Sequence, residues 1–275
     1  MAGPRIIVLI KAVPDIERVK FDQETGRIDR SSAQLEPNPF DLNALEAALR
    51  IKERLGGIIT ALSMGPPQAE TVLRDAIARG ADKAILLTDE AFAGSDTLAT
   101  SRALVAGIRK TGEFDLVIAG EKSVDGDTGQ VGSEVASLLG LPSDSYVDSI
   151  EDVTDNRITV TCDYGTRRYV RESTFPCVIS VTKNVASPRL PKLADALRSR
   201  KAKIEINGAS DLGEFVDRKT LGTLGSPTHV MKIRIGSESR RDSRRLAGSP
   251  TEVAKELADL IEYWLHGGKG IEKTV

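Results

Sequence analysis

Three glycines, Gly126, Gly129 and Gly132, recur at every third position where an apolar run ends and a helix-period segment begins. Because glycine has no side chain, backbone N–H groups there can approach a ligand closely, and a helix start presents its positive dipole end to phosphate. Thr128 and Gln130 add hydrogen-bonding side chains between the glycines. These residue types and their spacing indicate a loop that binds a phosphorylated ligand.

A simpler explanation covers the same segment, because Asp127 can cap a helix that follows a glycine-rich turn. The spacing also differs from the G-x-G-x-x-G fingerprint of dinucleotide sites and from the G-x-x-x-x-G-K-[ST] loop of Mg-ATP sites. Both of those site classes are therefore disfavoured. The residues alone leave the choice between a ligand site and a capped turn open.

Two other segments carry polar groups that could contact a nucleotide. Hydroxyls at a predicted helix start could hold a pyrophosphate or simply cap the helix, and they belong to Ser95, Thr97, Thr100 and Ser101. Asn38 lies between two prolines, which make its backbone rigid, so its amide could contact a base edge. A tight turn explains Asn38 equally well.

The elements that must position these segments follow from the apolar periodicity of the first two thirds of the chain. Apolar runs alternate with helix-period segments, which is typical of an α/β fold with a mostly parallel sheet and flanking helices. Strands are predicted at residues 6–11, 58–64, 84–87 and 116–119, and helices at 41–55, 68–78, 96–108 and 129–139. Asp41 is expected to cap the first helix. Ligands bind at the carboxyl ends of such strands, where the polar segments lie.

The pattern changes after Pro142. Residues 157–163 and 167–172 predict antiparallel strands around a turn at 164–166, and a further strand is predicted at 177–182. From residue 188 the regular rhythm is lost, which predicts an extended arm closed by an amphipathic helix at 251–265. We therefore expect a nucleotide-binding domain at 1–187, including the antiparallel strands, and a docking loop, arm and C-terminal helix at 188–275.

Composition and charge disfavour several function classes. The 275 residues are 40% hydrophobic and 28% charged, as in soluble globular proteins, and the net charge of -2 provides no field for nucleic acid or an anionic membrane. No apolar run reaches the roughly 18 to 20 residues of a membrane span. We expect a cytoplasmic protein that neither binds nucleic acid nor spans a membrane.

Cysteine and histidine are too scarce for most protein-held metals. The chain has Cys162, Cys177, His229 and His266, which are too scattered for zinc or an iron–sulfur cluster. Ser-His-Asp and Cys-His catalysis need an imidazole beside the nucleophile and are poorly supported. We predict no metal site and no catalytic residue, with the two cysteines acting as small buried apolar residues.

Taken together, the segments resemble the β subunit of electron transfer flavoproteins over roughly residues 5–265. The resemblance rests on the combination of Lys11 with Val13-Pro14-Asp15, Asn38-Pro39-Phe40, Ala48-Leu49-Arg50-Ile51-Lys52-Glu53, Ser63-Met64-Gly65-Pro66, Ala78-Arg79-Gly80-Ala81-Asp82, Asp125-Gly126-Asp127-Thr128-Gly129-Gln130-Val131-Gly132 and Ser187-Pro188-Arg189. It implies a Rossmann-like, adenine-nucleotide-binding fold paired with an α subunit that holds a redox-active FAD. Such heterodimers carry electrons from partner dehydrogenases to an acceptor, so the chain would be a carrier subunit and not an independent enzyme.

The family's nucleotide contacts carry over position by position. The resemblance implies contacts from Leu9, Asn38, Pro39, Phe40, Asp41, Met64, Ser123, Val124, Asp125, Gly126, Asp127, Thr128, Gly129, Gln130, Val131 and Gly132, continuing to Glu134. In simpler members the ligand at this β site is AMP.

A narrower resemblance concerns residues 89–101, which look like the corresponding segment of electron-bifurcating relatives. In those relatives a second complete FAD replaces the AMP, and the resemblance places Thr97 and Thr100 at its pyrophosphate, with Asp96 as a further cofactor contact. We therefore expect FAD at the β site, with AMP as the alternative. Any NADH-dependent bifurcating activity would require the α subunit.

Residues 187–203 resemble the loop with which the family's β subunit docks partner dehydrogenases. Leu193 matches the anchoring leucine, and the basic cluster matches Arg198, Arg200, Lys201 and Lys203. A solvated helix end is the alternative explanation of the basic cluster. One segment departs from the family, since Tyr164-Gly165-Thr166-Arg167-Arg168 replaces an acidic stretch, so flavin potentials and the identity of the α partner do not carry over.

Two rival functions remain. A stand-alone adenine-nucleotide sensor of the universal-stress type would use a similar sheet without redox chemistry, and it would purify colourless and alone. The arm after Pro188 argues against this sensor. It has too few apolar residues to fold by itself, so we expect it to pack against a partner. An adenylating, ATP-consuming enzyme is disfavoured because its Ser-Gly-Gly-x-Asp-Ser loop is absent after the first strand.

Overall fold

The computed structural model describes residues 3–15, 20–22, 27–29, 35–229 and 245–266. Residues 1–229 form one compact unit and residues 230–275 a second. The second unit contains one described helix, α7 (Pro250–Leu265), which Ser249 and Glu252 cap reciprocally. The predicted division at residue 187 concerns function and stays a prediction.

A nine-stranded sheet forms the centre of the first unit, in the order β11-β10-β9-β12-β8-β1-β6-β7-β13. The seven strands in the spatial order β9-β12-β8-β1-β6-β7-β13 are parallel to their neighbours. At the other end of the sheet, β10 pairs antiparallel with both β9 and β11. The remaining strands form two small antiparallel pairs, β2 with β5 and β3 with β4. The strands are β1 (Arg5–Leu9), β2 (Ala12–Pro14), β3 (Lys20–Asp22), β4 (Arg27–Asp29), β5 (Leu35–Pro37), β6 (Ile58–Met64), β7 (Lys83–Leu87), β8 (Leu116–Gly120), β9 (Ser143–Val153), β10 (Arg157–Asp163), β11 (Arg168–Thr174), β12 (Cys177–Val181) and β13 (Glu205–Asn207).

Helices cover both faces of this sheet, which explains why its central strands are apolar throughout. In β1, Ile6 and Val8 pack toward α1 and α2, whereas Ile7 and Leu9 pack toward α3 and α4. The helices of the first unit are α1 (Pro39–Leu55), α2 (Glu70–Arg79), α3 (Thr97–Lys110), α4 (Val131–Leu139), α5 (Leu193–Ser199) and α6 (Gly222–Gly225). No helix in the described ranges has both the length and the apolar character needed to cross a bilayer.

The chain order creates a crevice at the carboxyl end of β1. The chain runs from β1 through β6 to β7 on one side, and then places β8 on the other side of β1. Open α/β sheets bind ligands where the strand order reverses in this way. The sheet therefore positions a site between the ends of β1 and β8.

The predicted α/β class and its parallel strands are confirmed, but three local features differ from expectation. Helix α1 begins at Pro39 with Asn38 as its N-cap residue, so Asp41 lies in the first turn and does not cap it. Strand β9 was not predicted. The arm packs on the sheet domain as far as His229, because β13 pairs with β7, and Leu212 and Leu221 are buried.

Cys162 and Cys177 are fully buried free thiols on β10 and β12, as the sequence predicts. Burial raises the pKa of Cys177 to about 12. Because the thiolate is the reactive form, both side chains act as small apolar core residues.

Candidate nucleotide-binding site

A cavity of about 640 Å³ opens at the carboxyl ends of β1, β6 and β8. This volume lies within the range of small-molecule sites, roughly 300–1,000 Å³. Most of the predicted contact residues line it: Leu9, Asn38, Asp41, Met64, Asp96, Thr97, Thr100, Ser123, Gly126, Thr128, Gly129, Gln130, Val131 and Gly132. Segments far apart in the sequence therefore form one site.

Other lining residues were not in the predicted set. They include the apolar side chains of Leu62, Phe92 and Leu104, together with Glu121 and Thr228. Burial raises the pKa of the Glu121 carboxyl group. Phe92 lies in a segment that the sequence does single out. Thr228 has no such signal, because its place depends on the arm returning to the start of α3.

The start of α4 fits a phosphate ligand. Gln130 is the N-cap residue, and its side chain makes no capping bond to α4 among the residues described. The first N–H groups of a helix lack partners within the helix and attract anions. Asp127 lies outside the N-cap position, and its carboxylate pairs with Lys122 Nζ at 2.7 Å. The capped-turn explanation of the glycine segment is therefore wrong.

The glycines allow close approach at this helix start. Gly129 has a φ of 65°, which disfavours any other residue. A Cβ on Gly132 would lie 3.2 Å from Ser180 Cβ, so glycine brings α4 against β12. The loop backbone is thereby held beside the cavity.

The start of α3 differs, because it is capped. Asp96 Oδ1 accepts a hydrogen bond from Ala99 N at 3.0 Å, and Oδ2 accepts one from Thr228 Oγ1 at 2.6 Å. Burial disfavours ionisation of Asp96, but these bonds outweigh it and lower the pKa. Thr97 Oγ1 contacts Glu134 Oε1 at 3.0 Å, and Ser101 Oγ contacts Oε2 at 2.9 Å. The hydroxyls thus connect α3 to α4, while Thr97 and Thr100 still line the cavity.

Asn38 is buried and holds the loop after β8. Its Nδ2 donates to Lys122 O at 2.9 Å, and its Oδ1 accepts from Val124 N at 3.2 Å. Both ends of the amide therefore bond to the loop backbone. The amide thus clamps the loop beside the cavity, which Asn38 also lines, and its expected contact with a base edge stays a prediction.

Asp41 joins the ends of the two strands that flank the crevice. Its Oδ2 accepts from Lys11 N at 2.7 Å, after β1, and its Oδ1 accepts from Gly120 N at 3.2 Å, at the end of β8. Burial raises the pKa of Asp41 to about 7, although both bonds favour the ionised form. The carboxyl group therefore titrates near neutral pH.

Seven predicted residues do not line the cavity, and some of them support the loop beside it. Lys11 Nζ pairs with Asp125 at 2.7 Å, and this pairing outweighs burial and lowers the pKa of Asp125. Lys122 Nζ lies 5.8 Å from the Phe40 ring centroid, within the range of cation–π contacts. The seven are Pro39, Phe40, Val124, Asp125, Asp127, Ser133 and Glu134.

The predicted docking residues lie on and after α5. Leu193, at its first position, is 77% exposed. Arg198 pairs with Asp195 in the same helix, and Arg200 and Lys201 follow at its exposed end. The geometry is compatible both with docking and with a solvated helix end.

Comparison with known proteins identifies the family. A model described as the electron transfer flavoprotein domain matches residues 25–212 of this chain. The chain belongs to the electron transfer flavoprotein family. Protein FixA of Bradyrhizobium diazoefficiens is 40% identical over 93% of this chain and 90% of its own length. The electron transfer flavoprotein subunit beta of Thermoanaerobacterium thermosaccharolyticum is 41% identical over 93% of this chain and 97% of its length.

A third relative of this electron transfer flavoprotein chain is named the Caffeyl-CoA reductase-Etf complex subunit CarD, from Acetobacterium woodii. It is 41% identical over 83% of this chain and 86% of its length. Relatives of β and FixA type thus cover nearly the whole chain, which makes it an electron-transfer subunit. A stand-alone sensor of the universal-stress type and an adenylating enzyme are both disfavoured by this membership.

Proposed function

We propose that this chain is the β subunit of a heterodimeric electron transfer flavoprotein and that its cavity binds FAD. One observation carries the nucleotide assignment: the uncapped start of α4 opens on a cavity at the strand-order reversal of the sheet. A phosphate at this helix start would receive backbone N–H groups from the segment that the glycines hold open.

The extent of the cavity supports FAD over AMP. It runs from the loop at Ser123 and Gly126 to the start of α3 at Thr97 and Thr100, and continues to the apolar side chain of Phe92. A monophosphate needs only one helix start, whereas a diphosphate that bears a second ring system would use both ends. AMP remains the alternative ligand, as in simpler members of the family.

The residues of this chain would bind and orient the cofactor. Asn38 fixes the loop backbone, Lys11 holds Asp125, and Asp41 keeps the ends of β1 and β8 together. Bound FAD would supply the capacity to accept and donate electrons. The protein would contribute binding, position and electrostatics.

The proposed partners are an α subunit carrying the redox-active FAD, a dehydrogenase as donor and a downstream acceptor. Relatives named as subunits of electron transfer flavoproteins, including one named for a caffeyl-CoA reductase complex, support assembly of this kind. Leu193 and the basic residues Arg198, Arg200 and Lys201 would form the dehydrogenase contact. A second FAD would make electron bifurcation available to the heterodimer.

The decisive experiment is co-expression with an α subunit of the same family, followed by counting the FAD and AMP released per heterodimer. Two FAD and no AMP would support a β-site flavin. One FAD and one AMP would contradict it and identify a simpler carrier. A colourless protein that purifies alone would contradict the heterodimer itself.

A further inference from the structure

The segment between β12 and β13 exposes three leucines on one short stretch of chain. Leu190, Leu193 and Leu197 are 84%, 77% and 51% exposed, and we call them the leucine ridge. Leu193 and Leu197 are four residues apart on α5, so they share a face of that helix. Single exposed leucines are common on protein surfaces. Three of them form a defined surface only if the backbone that carries them is held in place.

Arg74 of α2 supports the far end of the ridge. Its Nη1 donates to the carbonyl oxygens of Ser199 at 2.7 Å, Arg200 at 2.8 Å and Ala202 at 3.3 Å. Carbonyls at a helix end have no partners within the helix, and a cation there also suits the helix dipole. Glu70, one turn earlier in α2, accepts from Arg74 Nε at 2.8 Å and orients the guanidinium.

Arg79, from the same helix, supports the near end by the same device. Its Nη1 donates to the carbonyl oxygen of Arg189 at 2.5 Å, while Asp75, one turn earlier, accepts from its Nε at 2.5 Å. The Arg189 side chain in turn pairs with Glu46 of α1 at 2.8 Å. The backbone is therefore tied at residue 189 and at residues 199–202, with the ridge between the ties.

We propose that Arg74 and Arg79 are positioning residues that pre-organise the leucine ridge for docking. Neither needs to touch the partner. This inference rests on the proposed docking function of the segment. The surface so formed fits an apolar pocket with an acidic rim, because Arg200 and Lys201 are exposed beside the ridge.

Pre-organisation matters because an unheld loop must be ordered when it binds. Ordering a loop on binding costs conformational entropy, and a scaffold that holds the loop beforehand removes that cost from binding. Loss of either arginine should therefore weaken docking without changing the surface chemistry. Arg74→Lys, which keeps the charge but not the planar fork, should have an intermediate effect.

The test uses the complete heterodimer with Arg74→Gln or Arg79→Gln. Hydrogen exchange of the amides at 190–202 should become about tenfold faster or more, because local opening costs less free energy. With a dehydrogenase chosen because it reduces the unaltered heterodimer, the KM for the heterodimer should rise severalfold while kcat and bound flavin stay unchanged. Arg54→Gln is the matched control, since Arg54 pairs with the side chain of Asp152 at 3.2 Å and, among the residues described, bonds to no carbonyl oxygen of residues 189–202.

The outcomes separate this proposal from the docking function. Unchanged exchange at 190–202 in both variants would overturn the positioning role. The role would also be overturned if Leu193→Ala raised KM and the arginine variants did not, although docking would then stand. If Leu193→Ala itself left KM unchanged, the docking function would be wrong and the positioning role would fall with it.

Discussion

At the residue scale, Gly129 tests whether the loop before α4 binds nucleotide. Gly129→Val places a β-branched residue at a φ of 65°, which should destabilise the protein by about 1–3 kcal/mol and distort the loop. Nucleotide affinity should fall about tenfold or more, measured by retention of bound nucleotide and by calorimetric titration. Gly140→Val is the control, because Gly140 has a φ of 70° with open space around its Cβ position. Equal nucleotide retention in both variants would refute the assignment.

Asp41 should make stability depend on pH. Its folded-state pKa of about 7 exceeds the ordinary value of 3.8, so folding favours the protonated form. The favourable contribution is fully present below about pH 4 and is lost as pH rises through about 7. The stability advantage of the unaltered protein over Asp41→Asn should shrink by on the order of 1–3 kcal/mol between pH 4.5 and pH 8. Urea unfolding at both pH values measures it, and a constant difference would contradict the prediction.

At the element scale, the clamp between the start of α1 and the loop after β8 makes a prediction about selectivity. Asn38→Ala would leave Lys122 O and Val124 N without the amide, costing about 1–3 kcal/mol of stability. If the amide acts only by holding the loop, affinities for ADP and GDP should fall by the same factor. Selective loss of ADP binding would support the base-edge hypothesis.

Asn43→Ala provides the control for this clamp. Asn43 is a buried asparagine of the same helix, and its amide donates to Ala186 O at 2.7 Å, away from the cavity. The Asn43 variant should lose similar stability and keep nucleotide affinity. Titrating both variants with the two nucleotides separates loop support from general destabilisation.

Periodicity predicted the elements that bury a regular apolar face and missed those held by long-range polar bonds. Strand β9 contains Asp144 and Asp148, which look unsuited to a sheet. In the fold, Asp144 pairs with Arg171 and accepts from Ser173 Oγ at 2.6 Å, while Asp148 pairs with Arg168 at 3.4 Å. These partners lie at least 20 residues away in sequence, where local patterns carry no signal. The two ion pairs also neutralise part of the positive charge that Arg168 and Arg171 bring to the β10–β11 hairpin.

The candidate site was predicted in outline for a related reason. Loops after parallel strands meet at one edge, so the sequence indicated which segments converge. The partners of single atoms were not predictable, because Asn38 and Asp127 could each satisfy several local roles. Only the fold shows that Asn38 clamps the loop and that Asp127 pairs with Lys122.

At the scale of the whole molecule, the leucine ridge predicts a kinetic effect without a cofactor effect. Leu193→Ala should raise the KM for reduction by a partner dehydrogenase severalfold, since a buried leucine anchor contributes about 1.5–3 kcal/mol. Flavin content and spectrum should stay unchanged. Leu224→Ala is the control, because Leu224 is similarly exposed but lies on α6. Equal kinetics for both variants would exclude Leu193 as an anchor.

The two buried thiols, Cys162 and Cys177, can report how often the sheet opens locally. Cys162 lies in the antiparallel end and Cys177 in a central parallel strand, and both are sealed from solvent. An alkylating reagent can label them only when the surrounding strands separate, so each labelling rate counts excursions of one region. If Cys162 is labelled faster than Cys177, the antiparallel end of the sheet opens independently of the parallel strands. If the two labelling rates are equal, the nine strands open as one unit.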